Sequence, residues 1–147
     1  MSADGEIRDC TDLFGRNAEV EKVVVSIHNG LVAEAITKIL TDSGEYMPIR
    51  VPVGGRVDLV AECRKHCPDM IISEVAFSWG TSVAVRLKEA KQIRETMPDC
   101  KIVFLCDENS VPDMARSVML AKKDGLIDAF FYSSVTAKYI LAAIQSL

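Results

Sequence analysis

The sequence predicts an α/β fold, a three-layer (βα)5 sandwich around a parallel five-stranded sheet in the order 2-1-3-4-5. Five short runs rich in β-branched or aromatic residues alternate with five segments of helical periodicity, which favours βα units and a parallel sheet. Gly and Pro residues separate these segments. Right-handed crossovers then place helices on both faces, and the strand order puts a crevice outside the carboxyl ends of the first and third strands.

The composition and charge indicate one globular domain preceded by an acidic arm. The chain has 147 residues, of which 49% are apolar and 26% charged, enough for a single core. We expect residues 1–21 to be a flexible arm with a short helix around Asp12–Asn17, and residues 22–147 to be the domain. The arm accounts for the whole formal net charge of −4, so the domain is neutral and offers no basic face for nucleic-acid phosphates.

The sequence also predicts a cytoplasmic protein. No apolar run approaches the ~18 residues that span a bilayer, and no secretory signal opens the chain. The cysteines are odd in number and lack the spacing of a disulfide framework, which favours reduced thiols. They are Cys10, Cys63, Cys67, Cys100 and Cys106.

The first half of the domain is predicted to hold two strands and two helices. Short β-branched runs mark the strands, apolar residues at helical spacing mark the helices, and Gly or Pro ends each segment. Pro48 and Pro52 place the second strand at an edge of the sheet. The elements are the strand Val23–Ile27, a helix from Leu31 that stops at Ser43-Gly44, the strand Ile49–Val53, and a helix from Leu59 that Pro68 closes.

The second half continues the alternation with three strands and three helices. Pro112 suits the first turn of a helix, and either Ser134 or Thr136 can cap the last one. The elements are the strand Met70–Val75, a loop Ala76–Ser82, the helix Val83–Met97, the strand Lys101–Cys106, a loop Asp107–Ser110, the helix from Pro112 to about Lys122, the strand Asp128–Tyr132 and a final helix that carries Tyr139 and Ile144.

One carboxylate stands at the predicted crevice. Glu74 ends the apolar run from Met70, so a buried strand delivers it to the rim of the sheet, a placement that suits a phosphate acceptor. The ends of the other strands bring further side chains to the same rim, namely Ile27, His28, Asn29, Cys106 and Ser133.

Several segments carry a family resemblance. They are Lys22–Ile36, the run Pro68-Asp69-Met70-Ile71-Ile72-Ser73-Glu74, the run from Ile93 to Pro98-Asp99, and Ser133-Ser134-Val135-Thr136-Ala137. On these segments the chain from Lys22 to Leu147 resembles the receiver domain of bacterial response regulators, which has a flavodoxin-like fold. It is most similar to the branch with a helix-turn-helix output domain. The resemblance implies transfer of a phosphoryl group from a histidine kinase to an aspartate, with a divalent cation held by carboxylates.

The residues at the chemical positions differ from those of the family. Ile27 and His28 stand where the resemblance implies an acidic pair, and Glu74 stands where it implies the aspartate. Cys106 replaces a hydroxyl residue and Ser133 replaces a lysine. We therefore expect an atypical receiver, not an enzyme, with no metal or cofactor. Glu74 is then either a fixed mimic of phosphoaspartate or a carboxylate left from a lost site.

The resemblance implies a protein-interaction module that controls a transcriptional output. In receivers the usual contact surface is the face of the fourth helix, fifth strand and fifth helix. We expect a homodimer or a partner protein there, and DNA contact only through a domain not present in this chain. The candidate contact residues on the face are Tyr132, Tyr139, Lys122, Lys123 and Asp128. Trp79, in the loop after the third strand, either anchors a partner or covers the vacated pocket.

Two other clusters offer alternative functions. His28, Glu74 and Cys106 provide an imidazole, a carboxylate and a thiol, which suit a cysteine nucleophile or a zinc site. The alternative function is thus a cytoplasmic thiol or metal-binding protein of the same fold. Cys63, His66 and Cys67 share a helix and offer half of a zinc site, or else they pack as core residues.

Overall fold

The computed structural model describes residues 20–54, 56–76, 82–106 and 112–147. Trp79, the helix predicted near Asp12–Asn17 and the loop Asp107–Ser110 lie outside the described residues. Across the described ranges, five strands alternate with five helices, as the sequence predicted. The strands are β1 (Glu21–Ser26), β2 (Tyr46–Arg50), β3 (Met70–Val75), β4 (Lys101–Cys106) and β5 (Ala129–Tyr132). The helices are α1 (Gly30–Ser43), α2 (Leu59–His66), α3 (Val83–Thr96), α4 (Pro112–Lys123) and α5 (Ala137–Gln145).

The sheet is parallel throughout, and its order is β2-β1-β3-β4-β5. The predicted fold class and strand order are therefore confirmed. The register aligns Ser26 with Ser73, Val75 with Cys106, and Cys106 with Tyr132. The carboxyl ends of β1, β3, β4 and β5 consequently form one rim, which is where the sequence placed the candidate site.

The predicted position of the second strand was wrong by three residues. Pairing runs over Tyr46–Arg50, and Val51 only follows the strand, donating its amide to the Val25 oxygen at 3.0 Å. The buried Tyr46 anchors the start of β2 beside Glu21. Pro48 lies inside β2. Because β2 is an edge strand, the hydrogen-bond donor that proline lacks is not needed by a second neighbouring strand. The first strand likewise extends from Glu21 to Ser26, so the last residue of the predicted arm already pairs in the sheet.

Apolar clusters fill both faces of the sheet. On one face, Val25 and Ile72 pack with Ile36 of α1 and Ile140 of α5. On the other face, one cluster lies under α3 and α4 and contains Cys106, and another lies under α2 and α3 and contains Cys63 and Cys100. This alternation along each strand is what a sheet covered by helices on both faces requires.

Side-chain caps fix where the helices begin. Asn29 caps α1, and Thr136, rather than Ser134, caps α5 by accepting a hydrogen bond from the Tyr139 amide at 3.1 Å. The helices of the described ranges are too short or too polar to cross a bilayer.

Candidate functional site

Glu74 holds the turn between β1 and α1. Its Oε1 accepts hydrogen bonds from the main-chain amides of His28 at 2.6 Å and Asn29 at 3.3 Å. The Asn29 side chain then accepts from the amides of Leu31 at 3.1 Å and Val32 at 3.2 Å. A carboxylate and an amide oxygen thus satisfy four main-chain donors on either side of Gly30 at the amino end of α1, where the helix dipole also favours the negative charge. Glu74 stands at the position of the phosphate acceptor that the resemblance implies, and one of its carboxylate oxygens is therefore already bonded to two main-chain amides of the same chain.

Ile27 and His28 occupy the place where the resemblance implies metal-binding carboxylates. Ile27 is 4% exposed and packs in the apolar cluster beneath α1 and α5. His28 is exposed and contacts Glu74 through its main-chain amide. Magnesium prefers several oxygen ligands in an octahedral arrangement, and neither an isoleucine nor an imidazole supplies one. The residues present do not fit a receiver-type magnesium site.

Cys106 lies on the opposite face of the sheet from Ile27. It is fully buried among Val75, Met114 and Val118 and is not disulfide-bonded. Its main-chain oxygen accepts from the Ser133 amide at 2.9 Å, which joins β4 to the segment after β5. The structure thus brings Glu74 to the main chain of His28 and places the Cys106 side chain elsewhere. Within the described ranges, no group of three His, Cys, Asp or Glu side chains is arranged to hold a metal ion.

Ser133 borders a small groove between α1 and α5. The groove is lined mainly by apolar side chains, among them Leu31, Val135 and Ile140. Leu31 is 84% exposed at its mouth. A serine in this position offers no charge to a bound anion, unlike the lysine that the resemblance implies there.

The second cysteine cluster separates into unrelated environments. Cys63 is buried in the core with Cys100, and burial raises the pKa of both thiols, that of Cys100 to about 12. On the surface of α2, the Nε2 atom of His66 lies 3.6 Å from the Oε1 atom of Glu62. Cys67 ends α2 in the left-handed conformation, with φ 53°, and is disulfide-bonded. The expectation of reduced thiols is therefore wrong for Cys67, whereas Cys63, Cys100 and Cys106 are not disulfide-bonded.

Some residues of the predicted contact face are exposed to solvent, and others form contacts within the chain. Tyr139 is 58% exposed, and its ring forms a T-shaped contact with that of Phe131, with 6.2 Å between the centroids. Tyr132 is half-buried in a similar contact with Phe130 at 6.0 Å, while Lys122 and Lys123 are exposed at the end of α4. Asp128 is engaged inside the chain, where its carboxylate accepts from Arg94 and from the Ile102 amide.

Sequence reasoning missed Arg86. It is 3% exposed and donates to main-chain oxygens at the ends of β1 and β3. The signal was present in the spacing, because Arg86, Ala90 and Ile93 form the buried stripe of α3. A charged residue on the apolar stripe of a helix marks a buried cation with partners nearby.

Known proteins share this architecture at low sequence identity. A DNA-binding response regulator of the LuxR family from Staphylococcus aureus matches with a TM-score of 0.65 and 12% identity, covering 86% of this chain and 97% of that chain. The chemotaxis protein CheY4 from Vibrio cholerae matches with a TM-score of 0.64 and 18% identity, covering 86% of this chain and 98% of that chain. The BeF3-activated N-terminal receiver domain of RstA from Klebsiella pneumoniae matches with a TM-score of 0.63 and 14% identity, covering 84% and 95%.

Neither family models nor curated proteins match the sequence. The structural similarities, all below 20% identity, show the fold. The described chain has the fold of receiver domains.

Proposed function

We propose that this chain is an atypical receiver that does not turn over phosphate and acts through protein contacts. The observation that carries the proposal is the pair of hydrogen bonds from the His28 and Asn29 amides to Glu74, at 2.6 and 3.3 Å. A phosphoryl acceptor needs an oxygen that is free to attack and a cation that balances the transferring charge. Here Oε1 of Glu74 closes the turn before α1, and Ile27 and His28 stand where the carboxylate ligands of a cation would be needed.

The neighbours of Glu74 support the same proposal. Ile27 turns into the core, so it leaves no ligand at the end of β1. Cys106 packs on the other face of the sheet, and Ser133 carries no charge. The groups that would stabilise a transferred phosphoryl group are replaced by apolar or neutral side chains, so the rim serves the fold rather than a reaction.

The proposed output is transcriptional. One similar structure is a DNA-binding response regulator of the LuxR family, and the sequence resembles the branch with a helix-turn-helix output domain. This chain has a net charge of −4, which opposes direct binding to nucleic-acid phosphates. We therefore assign DNA contact to a separate DNA-binding domain. The receiver-like domain would control that domain through protein–protein contacts.

The face of α4, β5 and α5 is the proposed docking surface, and a second copy of the chain is its proposed occupant. Tyr139 presents a large aromatic ring to solvent, and Met119 and Leu120 are 53% and 51% exposed on α4. Exposed aromatic and aliphatic side chains beside charged ones are typical of an interface core with a polar rim. Lys122 and Lys123 supply the charged part of that rim.

Incubation with acetyl phosphate and Mg²⁺, followed by intact mass spectrometry, tests the phosphate part of the proposal. We expect the mass of the chain to stay unchanged while a phosphorylatable receiver in the same tube gains one phosphoryl group. A magnesium-dependent gain of one phosphoryl group at Glu74 would overturn it.

A further inference from the structure

Arg86 is a cation enclosed at the rim. Its Nε donates to the main-chain oxygen of Glu74 at 2.8 Å, and its Nη2 donates to the main-chain oxygen of Ser26 at 3.1 Å. Its Nη1 donates to the carboxylate of Glu89, one turn further along α3, at 3.1 Å. Two carbonyl oxygens from neighbouring strands and one carboxylate therefore surround a single guanidinium.

These contacts lie where the ladder of hydrogen bonds between two strands stops. The register of β1 with β3 ends at Ser26 and Ser73, and Arg86 bridges the strands at that end. On the other side of the turn, the Glu74 carboxylate binds the amides of His28 and Asn29. The end of β1 is thus tied to β3 by two sets of bonds, one from the guanidinium and one from the carboxylate.

Burial makes the charge of Arg86 consequential. A guanidinium that is only 3% exposed loses its hydration and is tolerated only where oxygen acceptors replace the lost water. The acceptors here are all oxygens, and the planar guanidinium matches their arrangement through separate nitrogens. Removing the side chain would leave the carbonyls of Ser26 and Glu74 and the carboxylate of Glu89 without their cation.

We propose that Ser26, Glu74 and Glu89 form an internal site for a guanidinium-type cation, and that Arg86 occupies it as a built-in cation. The site fixes the spacing of β1 and β3 at the crevice without a metal ion. This inference deepens the proposed function, on which it rests, because it names the side chain that holds the ends of β1 and β3 together at the rim.

Chemical rescue of an Arg86→Ala variant tests the site. The variant is expected to melt below the wild-type protein, and methylguanidinium chloride is expected to raise its melting temperature in a saturable way. The rise should reach roughly 4 °C once the cation exceeds its Kd about tenfold. Sodium chloride at the same ionic strength serves as the comparison.

An exposed arginine provides the matched control. Arg64→Ala removes a side chain from the surface of α2, and neither this variant nor the wild-type protein should be stabilised by methylguanidinium. Equal stabilisation of all three proteins would overturn the proposal, as would the absence of a saturable rise in Arg86→Ala.

Two further measurements cover a variant that does not fold. If Arg86→Ala is recovered unfolded, refolding with methylguanidinium should restore its circular dichroism, and failure to do so counts against the site. Arg86→Met keeps an apolar stem but no charge or donor, so a melting temperature equal to that of the wild type would also overturn it. A phosphorylated Glu74 would refute the proposed function while leaving the rescue result intact, so the two failures are distinguishable.

Discussion

At the scale of single residues, the decisive feature is how one carboxylate is used. Glu74 reaches the rim as predicted from the apolar run that precedes it, and its Oε1 binds the His28 and Asn29 amides. The sequence located the residue because a buried strand must end at the rim. It could not give the bonding partners, since those depend on the path of the turn before α1.

Removal of the Glu74 side chain should destabilise the fold. We expect Glu74→Ala to lower the free energy of unfolding by about 1–2 kcal/mol, because two main-chain amides lose a charged acceptor. Urea denaturation followed by circular dichroism measures the change. The exposed Glu95 provides the control, and Glu95→Ala should stay within about 0.5 kcal/mol of the wild type. An effect at position 74 no larger than that at position 95 would show that the turn does not need the carboxylate.

The buried thiols predict a loss of stability at alkaline pH. Burial raises the pKa of Cys100 to about 12 and that of Cys63 still further. Both thiols therefore stay protonated in the folded chain while the unfolded chain loses these protons above about pH 9. Their contribution is complete below that pH and falls by roughly 1 kcal/mol per pH unit for each thiol as the pH rises toward the folded pKa.

Urea denaturation at about pH 8 and about pH 10.5 measures this dependence. Burial also raises the pKa of Tyr46, so the thiol contribution is isolated by comparison with the double variant Cys63→Ala and Cys100→Ala. That variant should lose less stability between the two pH values. Identical slopes for both proteins would contradict the assignment.

Among the helices and strands, the sequence pattern predicted the type and order of the elements better than their boundaries. The bounds of β3 and β4 agree with the prediction, because a charged residue marks one end of each run: Asp69 precedes β3 and Asp107 follows β4. The second strand was misplaced because its apolar run is weak and carries two prolines, and an edge strand accommodates a proline, so neither proline marks its bounds. The same periodicity on α3 places Arg86 on the buried stripe, but an arginine is ordinarily found on the solvent face of a helix, so the sequence alone did not indicate its burial.

The contact between the end of α3 and the start of β5 should be important for stability. The Asp128 carboxylate accepts from Arg94 and from the Ile102 amide at 2.7 Å, so it joins α3 and β4 to the residue before β5. Asp128→Ala should reduce the free energy of unfolding by about 2 kcal/mol, since it leaves an amide and a guanidinium without that acceptor. Thermal and urea denaturation measure it, with the exposed Asp99→Ala as control. Equal stability of the two variants would show that this contact is dispensable.

At the scale of the whole molecule, the fold was predictable and its use was not. Alternation of five strands and five helices leads to the observed order because crossovers have one hand. That order also locates the crevice. Whether the crevice is reactive depends on a few side chains such as Ile27 and Cys106, and their orientation follows from packing on both faces rather than from spacing along the chain.

Self-association through α4, β5 and α5 should depend on Tyr139. We expect Tyr139→Glu to weaken dimerisation at least about tenfold, because it places a charge at the centre of the proposed contact. Sedimentation velocity over a concentration series measures the dissociation constant. Met47→Glu, on the edge strand β2 and also exposed, is the matched control and should dimerise as the wild type does. A monomeric wild-type protein, or an equal loss in both variants, would remove this face as the interface.

If the rim around Glu74 is fixed by internal bonds, as we propose, it should not respond to phosphoryl chemistry. Beryllofluoride mimics a phosphoryl group when Mg²⁺ is present, so its addition to isotopically labelled protein tests the claim through the amide signals of His28 and Asn29. We expect these signals to stay in place, with and without Mg²⁺. Saturable shifts of both amides that require Mg²⁺ would contradict it.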